Sequence, residues 1–162
     1  MVNQGSNGLF RASGYLTAYQ ALIWGLSRKG LSQTEIAAEL EVSRQAIHKT
    51  LHKASNRVLR ALLDSAQIDK LDIRKVDAVK GVLVGYSPGF RSRVFLIYSL
   101  KDGVQLWYEH RGQCEGCQRR EECTQKLLDT AKEWEVDLTQ EEKRFPPTRL
   151  AERLFSEVVE ES

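Results

Sequence analysis

The chain's only three cysteines, Cys114, Cys117 and Cys123, fall within ten residues, and His110 stands four positions ahead of the first. A Cys-x2-Cys pair can turn both sulfurs toward one centre, and Gly116 permits a sharp backbone between them. The third thiolate then arrives from the start of a following helix. Thiolates are soft donors, so the spacing points to zinc or an iron-sulfur cluster and excludes magnesium and calcium on ligand type. An odd number of clustered cysteines also argues against a disulfide framework.

In H-R-G-Q-C-E-G-C-Q-R-R-E-E-C the Cys-x2-Cys-x5-Cys run resembles the cluster loops of endonuclease III-type DNA glycosylases, WhiB-like regulators and the oxygen-sensing fumarate and nitrate reduction regulators. The resemblance implies a [4Fe-4S] cluster. Those families take a fourth cysteine from elsewhere; here the position seven before Cys114 is Trp107, so four cysteines from one chain are unattainable. His110 can supply the fourth ligand, or one iron stays open to an external one. The alternative is a closed structural zinc site of Cys114, Cys117, Cys123 and His110. Arg111, Arg119 and Arg120 can offset the negative charge of such a centre, or form a solvated basic loop.

A second constellation lies in Leu31 to Ser55, LSQTEIAAELEVSRQAIHKTLHKAS. Ser32 with Glu35 has the spacing of a capping box, flanked by Leu31 and Ile36 at the staple positions. A second helix start follows at Ser43, with Val42 and Ile47 in the same relation. Ile47, Leu51 and Ala54 form an apolar stripe on the second helix, which leaves Arg44, Gln45, His48, Lys49 and Lys53 on its outer face. Arg suits guanine, Gln suits adenine, and Lys suits phosphate. Ser32 and Gln33 are placed for backbone contacts. His48 and His52, a turn apart on that face, are read as groove or phosphate contacts rather than metal ligands.

This stretch resembles the bihelical signature of helix-turn-helix transcription regulators over positions 31 to 47, about a sixth of the chain. The resemblance implies that Ser32, Gln33, Ser43, Arg44, Gln45, His48, Lys49 and Lys53 meet double-stranded DNA. It departs at Glu41, where the family has glycine because the corner is left-handed. A side chain there costs about 1 kcal/mol, and a remodelled corner is expected.

Charge is distributed unevenly. The formal total is +2, yet residues 1 to 66 hold eight Lys and Arg against four acids, leaving 16 basic and 18 acidic residues for the rest. The basic half is the half with the helix-turn-helix, as a polyanion binder requires. No apolar run approaches a membrane span and no secretory pattern opens the chain, so a cytoplasmic location is expected.

The elements that position these groups follow from periodicity and turn chemistry. Residues 1 to 14 are expected as a flexible arm, with Arg11 as a thin candidate for the minor groove. Thr17 with Gln20 opens a first helix that ends near Lys29-Gly30, completing a trihelical unit over 15 to 66. Val58, Leu59, Leu62, Leu63 and Ala66 carry the helical period onward, either as a homodimer surface or as a face buried within the monomer. Residues 67 to 78 are a charged connector, either a domain boundary or an additional edge strand. Three strands of an antiparallel meander are read at Val79 to Tyr86, Arg93 to Ser99 and Val104 to His110. Helices are expected around Leu127, Leu128, Ala131 and Trp134, and from Thr148 through Leu150, Leu154, Phe155 and Val158.

The expected fold is therefore α+β: a trihelical helix-turn-helix unit at 15 to 66, then an α+β metal-binding, sensing and dimerisation domain at 67 to 162. The expected function is a transcription regulator in which gain, loss or oxidation of the cluster reorganises residues 114 to 123 and shifts the spacing of two recognition helices. A DNA binder with purely structural zinc is the first rival. An enzyme acting on nucleic acid is the second, disfavoured because no paired catalytic carboxylate or Lys-Asp arrangement can be placed. Tyr86, Phe90, Tyr98, Trp107 and Tyr108 could present a ligand or partner face, although core packing accounts for most of them.

Overall fold

The computed structural model describes residues 15 to 160. The expected arm at 1 to 14, with Arg11, and the side chain of Val158 lie outside the described residues. By internal contacts the chain divides into two compact units, Met1–Trp107 and Tyr108–Ser162.

The first unit begins with three helices. α1 (Ala18–Arg28) starts in the expected capping box: the Thr17 hydroxyl accepts from the Gln20 amide at 3.2 Å, and Gln20 Oε1 accepts from the Thr17 amide at 3.1 Å. It stops where Gly30 adopts φ 96° and the amides of Gly30 and Leu31 reach back to the carbonyls of Ser27 and Leu26. α2 (Gln33–Glu39) is opened by the Ser32–Glu35 box, at 3.2 and 2.7 Å. α3 (Arg44–Ile68) is opened by Ser43, whose hydroxyl accepts from the Ala46 amide at 3.1 Å. Ile23, Ile36, Ala37 and Ile47 form the small core between the helices, with Leu26, Leu31, Leu40 and Leu51 closing its sides.

α3 is one uninterrupted helix of 25 residues. Its second half turns Val58, Ala61, Leu62 and Ala66 inward, and all four are fully buried. α3 contacts three strands of a four-stranded antiparallel sheet, ordered β1 (Asp72–Asp77), β2 (Val82–Ser87), β3 (Ser92–Ser99), β4 (Gly103–Tyr108). Leu83 pairs with Leu96 and Gly85 with Val94 across β2 and β3, so the same face of both strands carries the inward residues. Trp24 joins helix to sheet: its indole nitrogen donates to the Ala78 carbonyl at 3.0 Å, and its ring meets Tyr98 edge to face at 5.5 Å. Arg28 donates from Nη1 to the Tyr98 carbonyl at 3.1 Å.

Of the two readings of the charged connector, the edge strand is found: its second half is β1, which makes the meander four-stranded. The first compact unit continues past residue 66 to Trp107, and within it the buried stripe of α3 and Trp24 of α1 both pack on the sheet. Of the two options for the α3 stripe, a homodimer surface or burial within the monomer, Val58, Leu62 and Ala66 take the second, while Leu59 and Leu63 are half-buried.

The second unit holds α4 (Arg120–Glu133), a short 3-10 turn at Glu142–Arg144, and α5 (Pro147–Glu160). α4 and α5 are in contact, and Leu127 and Ala131 on the first and Leu150, Ala151, Leu154 and Phe155 on the second are buried. Trp134 meets Phe155 edge to face at 6.1 Å. The intervening turn is fixed by Glu142, which accepts from the Thr139 amide at 2.7 Å and from Arg153 Nε at 2.7 Å. The Thr139 backbone N–H and, second, the Arg153 guanidinium hold the Glu142 carboxyl below its ordinary pKa.

Candidate nucleic-acid interface and thiol loop

The corner between α2 and α3 decides where the outer face of α3 points. Glu41 adopts φ 55°, and the amides of Glu41 and Val42 reach back to the carbonyls of Ala38 and Ala37 at 3.4 and 3.0 Å. This is the Schellman closure that glycine makes most easily. The left-handed corner is thus retained with a side chain on it; the expected remodelling is not found, and the conformational cost stays at Glu41.

With the corner set this way, Ile47 and Ala54 are fully buried and Leu51 is half-buried, while Arg44, Gln45, His48, Lys49 and Lys53 are all exposed. Ser32 and Ser43 are exposed and cap their helices; Gln33 is half-buried in the first turn of α2. The Ser32 backbone N–H holds Glu35 below the usual carboxylate pKa, which keeps the box ionised. Of the two staples, Ile36 is fully buried and Leu31 half-buried against it, whereas Val42 stays 38% exposed. His52 lies on the same outer side and its Nδ1 faces Asn56 Nδ2 at 3.3 Å.

The sequence reading stopped at Lys53 and missed the continuation of this face. α3 carries no acidic residue from Arg44 through Leu63, and Arg57 and Arg60 are exposed beyond Lys53. That acid-free run was the available signal. Arg57 is also tied to α1, donating to Gln20 Oε1 at 3.0 Å and to the Tyr15 carbonyl at 3.4 Å.

The thiol loop belongs to the second unit. The Cys117 amide donates to the Cys114 carbonyl at 3.3 Å around a turn in which Gly116 has φ 76°, and the Arg120 amide donates to the Cys117 carbonyl at 3.1 Å. These two turns deliver the chain into α4, whose first turn carries Cys123. Cys117 is exposed, and Cys114 and Cys123 are half-buried free thiols. The Cys114 thiol points to the Thr148 hydroxyl oxygen at 3.8 Å. Burial pushes the Cys123 thiol above its ordinary pKa, against the opposing pull of Arg119. Glu122 holds Arg119 at 3.5 Å and Lys126 at 3.1 Å, and the hydrogen bonds from Lys126 and then Arg119, followed by their charges, lower its pKa. Nδ1 of His110 lies 2.8 Å from the Tyr108 carbonyl, and the imidazole lies so close to Gly112 that a Cβ there would stand 2.7 Å from it.

In donor chemistry and backbone path the loop fits a soft metal: three sulfurs, a glycine-relieved turn and neighbouring cations. In side-chain placement it is not assembled, since among the described residues no three His, Cys, Asp or Glu groups are arranged to hold one ion.

Among the described residues no helix is long and apolar enough to cross a membrane. Compared with protein-family models, curated proteins and solved structures, the chain matches none of them.

Proposed function

We propose that the chain is a sequence-specific, double-stranded-DNA-binding transcription regulator of helix-turn-helix type, acting as a homodimer, and not an enzyme. The observation that carries this reading is the polarity of α3 below the left-handed corner: Ile47 and Ala54 are sealed inside while Arg44, Gln45, His48, Lys49 and Lys53 stand outside. On this reading Arg44 and Gln45, in the first turn, meet base edges. Lys49 and Lys53 meet phosphates, and Ser32, Gln33 and Ser43 set the approach of the backbone. Two copies on a two-fold site double the phosphate and base contacts that a single module makes.

Cys114, Cys117 and Cys123, with His110 as the fourth candidate ligand, are proposed to hold a [4Fe-4S] cluster, with zinc as the second reading. A cluster supplies sensitivity to oxygen, redox state or iron; zinc supplies cross-linking alone. This chain's own part is to deprotonate three thiols, and Cys123 resists that because it is partly buried.

Two experiments test the reading. Selection of binding sites from random duplex DNA by the full-length protein should enrich one motif; a pool that stays random overturns the regulator. Protein purified without air should carry iron and acid-labile sulfide for the cluster, or one zinc per chain for the rival. Metal-free protein overturns both metal readings and leaves the DNA reading untouched.

A further inference from the structure

The Cys-x2-Cys pair is also arranged for chemistry that needs no metal. The Cys117 amide donates to the Cys114 carbonyl at 3.3 Å, and Gly116 between them has φ 76°, the left-handed third position that a type II β-turn gives to glycine. A four-residue turn of this kind holds its first and last Cα atoms within about 7 Å, and a disulfide joins Cα atoms about 4.4 to 6.8 Å apart. The backbone thus meets the first requirement for a bond between Cys114 and Cys117.

The turn is open to a reagent. Residues 115 to 120 are all exposed, and apart from its chain neighbours no heavy atom lies within 4 Å of where a Cβ on Gly116 would stand. Cys117 is exposed, Cys114 is half-buried, and both are free thiols. Cys123 is half-buried and lies in α4, its amide bonded to the Arg119 carbonyl at 2.9 Å, so it stands outside the Cys114–Cys117 turn.

We propose that Cys114 and Cys117 form a reversible dithiol–disulfide switch, oxidised by a small-molecule disulfide such as glutathione disulfide, with Cys123 left as a thiol. The exposed Cys117 thiolate attacks one sulfur of the oxidant, whose S–S bond breaks and releases one glutathione thiolate. The Cys114 thiolate then attacks the Cys117 sulfur of this mixed disulfide and releases the second. Two protein thiols are oxidised, one glutathione disulfide is reduced to two thiols, and the two protons pass from the protein to the leaving thiolates. Excess reduced thiol reverses both steps. The switch stands without any metal. One consequence rests on the metal reading: the disulfide removes two of the three proposed sulfur donors, so an oxidised chain cannot load iron or zinc until it is reduced.

The test takes full-length protein, reduced and freed of metal by a chelator, through a time course with glutathione disulfide, alkylation and tryptic mass mapping. Trypsin places Cys114 and Cys117 together in residues 112 to 119 and Cys123 in residues 121 to 126. The first peptide should lose two hydrogens and the second should stay alkylated. Cys123→Ser should leave that result unchanged, and Cys114→Ser should strand one glutathione on Cys117. Gly116→Val has room for its side chain but strains the turn by about 1 to 2 kcal/mol, so it should slow ring closure about tenfold and accumulate the mixed disulfide. A link from either cysteine to Cys123, a cross-link between chains, a lasting glutathione adduct on the natural protein, or closure equally fast in Gly116→Val would each overturn the inference. Iron or zinc is then offered to reduced and oxidised protein, and uptake should appear in the reduced form alone. Uptake in neither form refutes the metal reading and leaves the disulfide standing; equal uptake in both overturns the proposed control.

Discussion

At Gly81 the backbone adopts φ 72°, and a Cβ there would stand 2.8 Å from two indole carbons of Trp24. Gly81→Ala therefore collides with a fully buried ring and strains the backbone, and should destabilise the first unit by about 3 kcal/mol, read from chemical denaturation. Glu41 presents the opposite case, since it holds φ 55° at a helix end where glycine is unstrained. Glu41→Gly should raise stability by about 1 kcal/mol without moving α3. Ser43→Ala removes the hydroxyl that caps α3 and should cost about 1 kcal/mol by the same measurement. The partly buried Cys123 thiol has a raised pKa, so it stays protonated to higher pH than an ordinary thiol. Its alkylation, followed by mass spectrometry, should accelerate on the alkaline side of the usual thiol range. Acceleration already complete at neutral pH would contradict the burial.

The elements were legible wherever local chemistry fixes them. Thr17 with Gln20 and Ser32 with Glu35 are spaced as capping boxes, and both boxes form; Gly30 ends α1 where a left-handed residue is needed. β1 was harder to see, because D-I-R-K-V-D is charged and its Ile73 and Val76 remain partly exposed, so no apolar alternation marks it clearly. The unit boundary was illegible for another reason. Trp24 and Tyr98 meet across more than seventy residues, and no local pattern announces that contact. A fragment ending at residue 66 exposes Val58, Leu62 and Ala66, and should lose cooperative unfolding, whereas one ending at residue 107 should keep it. Leu62→Ala in the full chain should cost 2 to 5 kcal/mol, about the usual range for a fully buried leucine.

On the scale of the whole molecule, the candidate sites divide by how far spacing alone determines them. Helical geometry carries Arg44, Gln45, His48, Lys49 and Lys53 to one outer face, so sequence sufficed to find the proposed reader. Cysteine spacing gives donors and a backbone path, but convergence of three sulfurs depends on rotamers and on the Thr148 contact with Cys114, which the sequence does not encode locally. The acid-free stretch of α3 beyond Lys53 predicts a steep salt dependence. Arg60→Ala should lower DNA affinity uniformly across sequences and reduce the salt slope by about one, since a phosphate contact carries no sequence information.

The central claim is that the first turns of α3 discriminate between base sequences. The most direct test measures affinity for a selected duplex and a scrambled one, at one salt concentration, for the natural protein and for Arg44→Ala. The account predicts a clear preference in the natural protein and a loss of about tenfold or more of that preference in the variant, with binding to the scrambled duplex only slightly changed. Equal affinity of the natural protein for both duplexes, or a preference that survives Arg44→Ala and Gln45→Ala together, would contradict it.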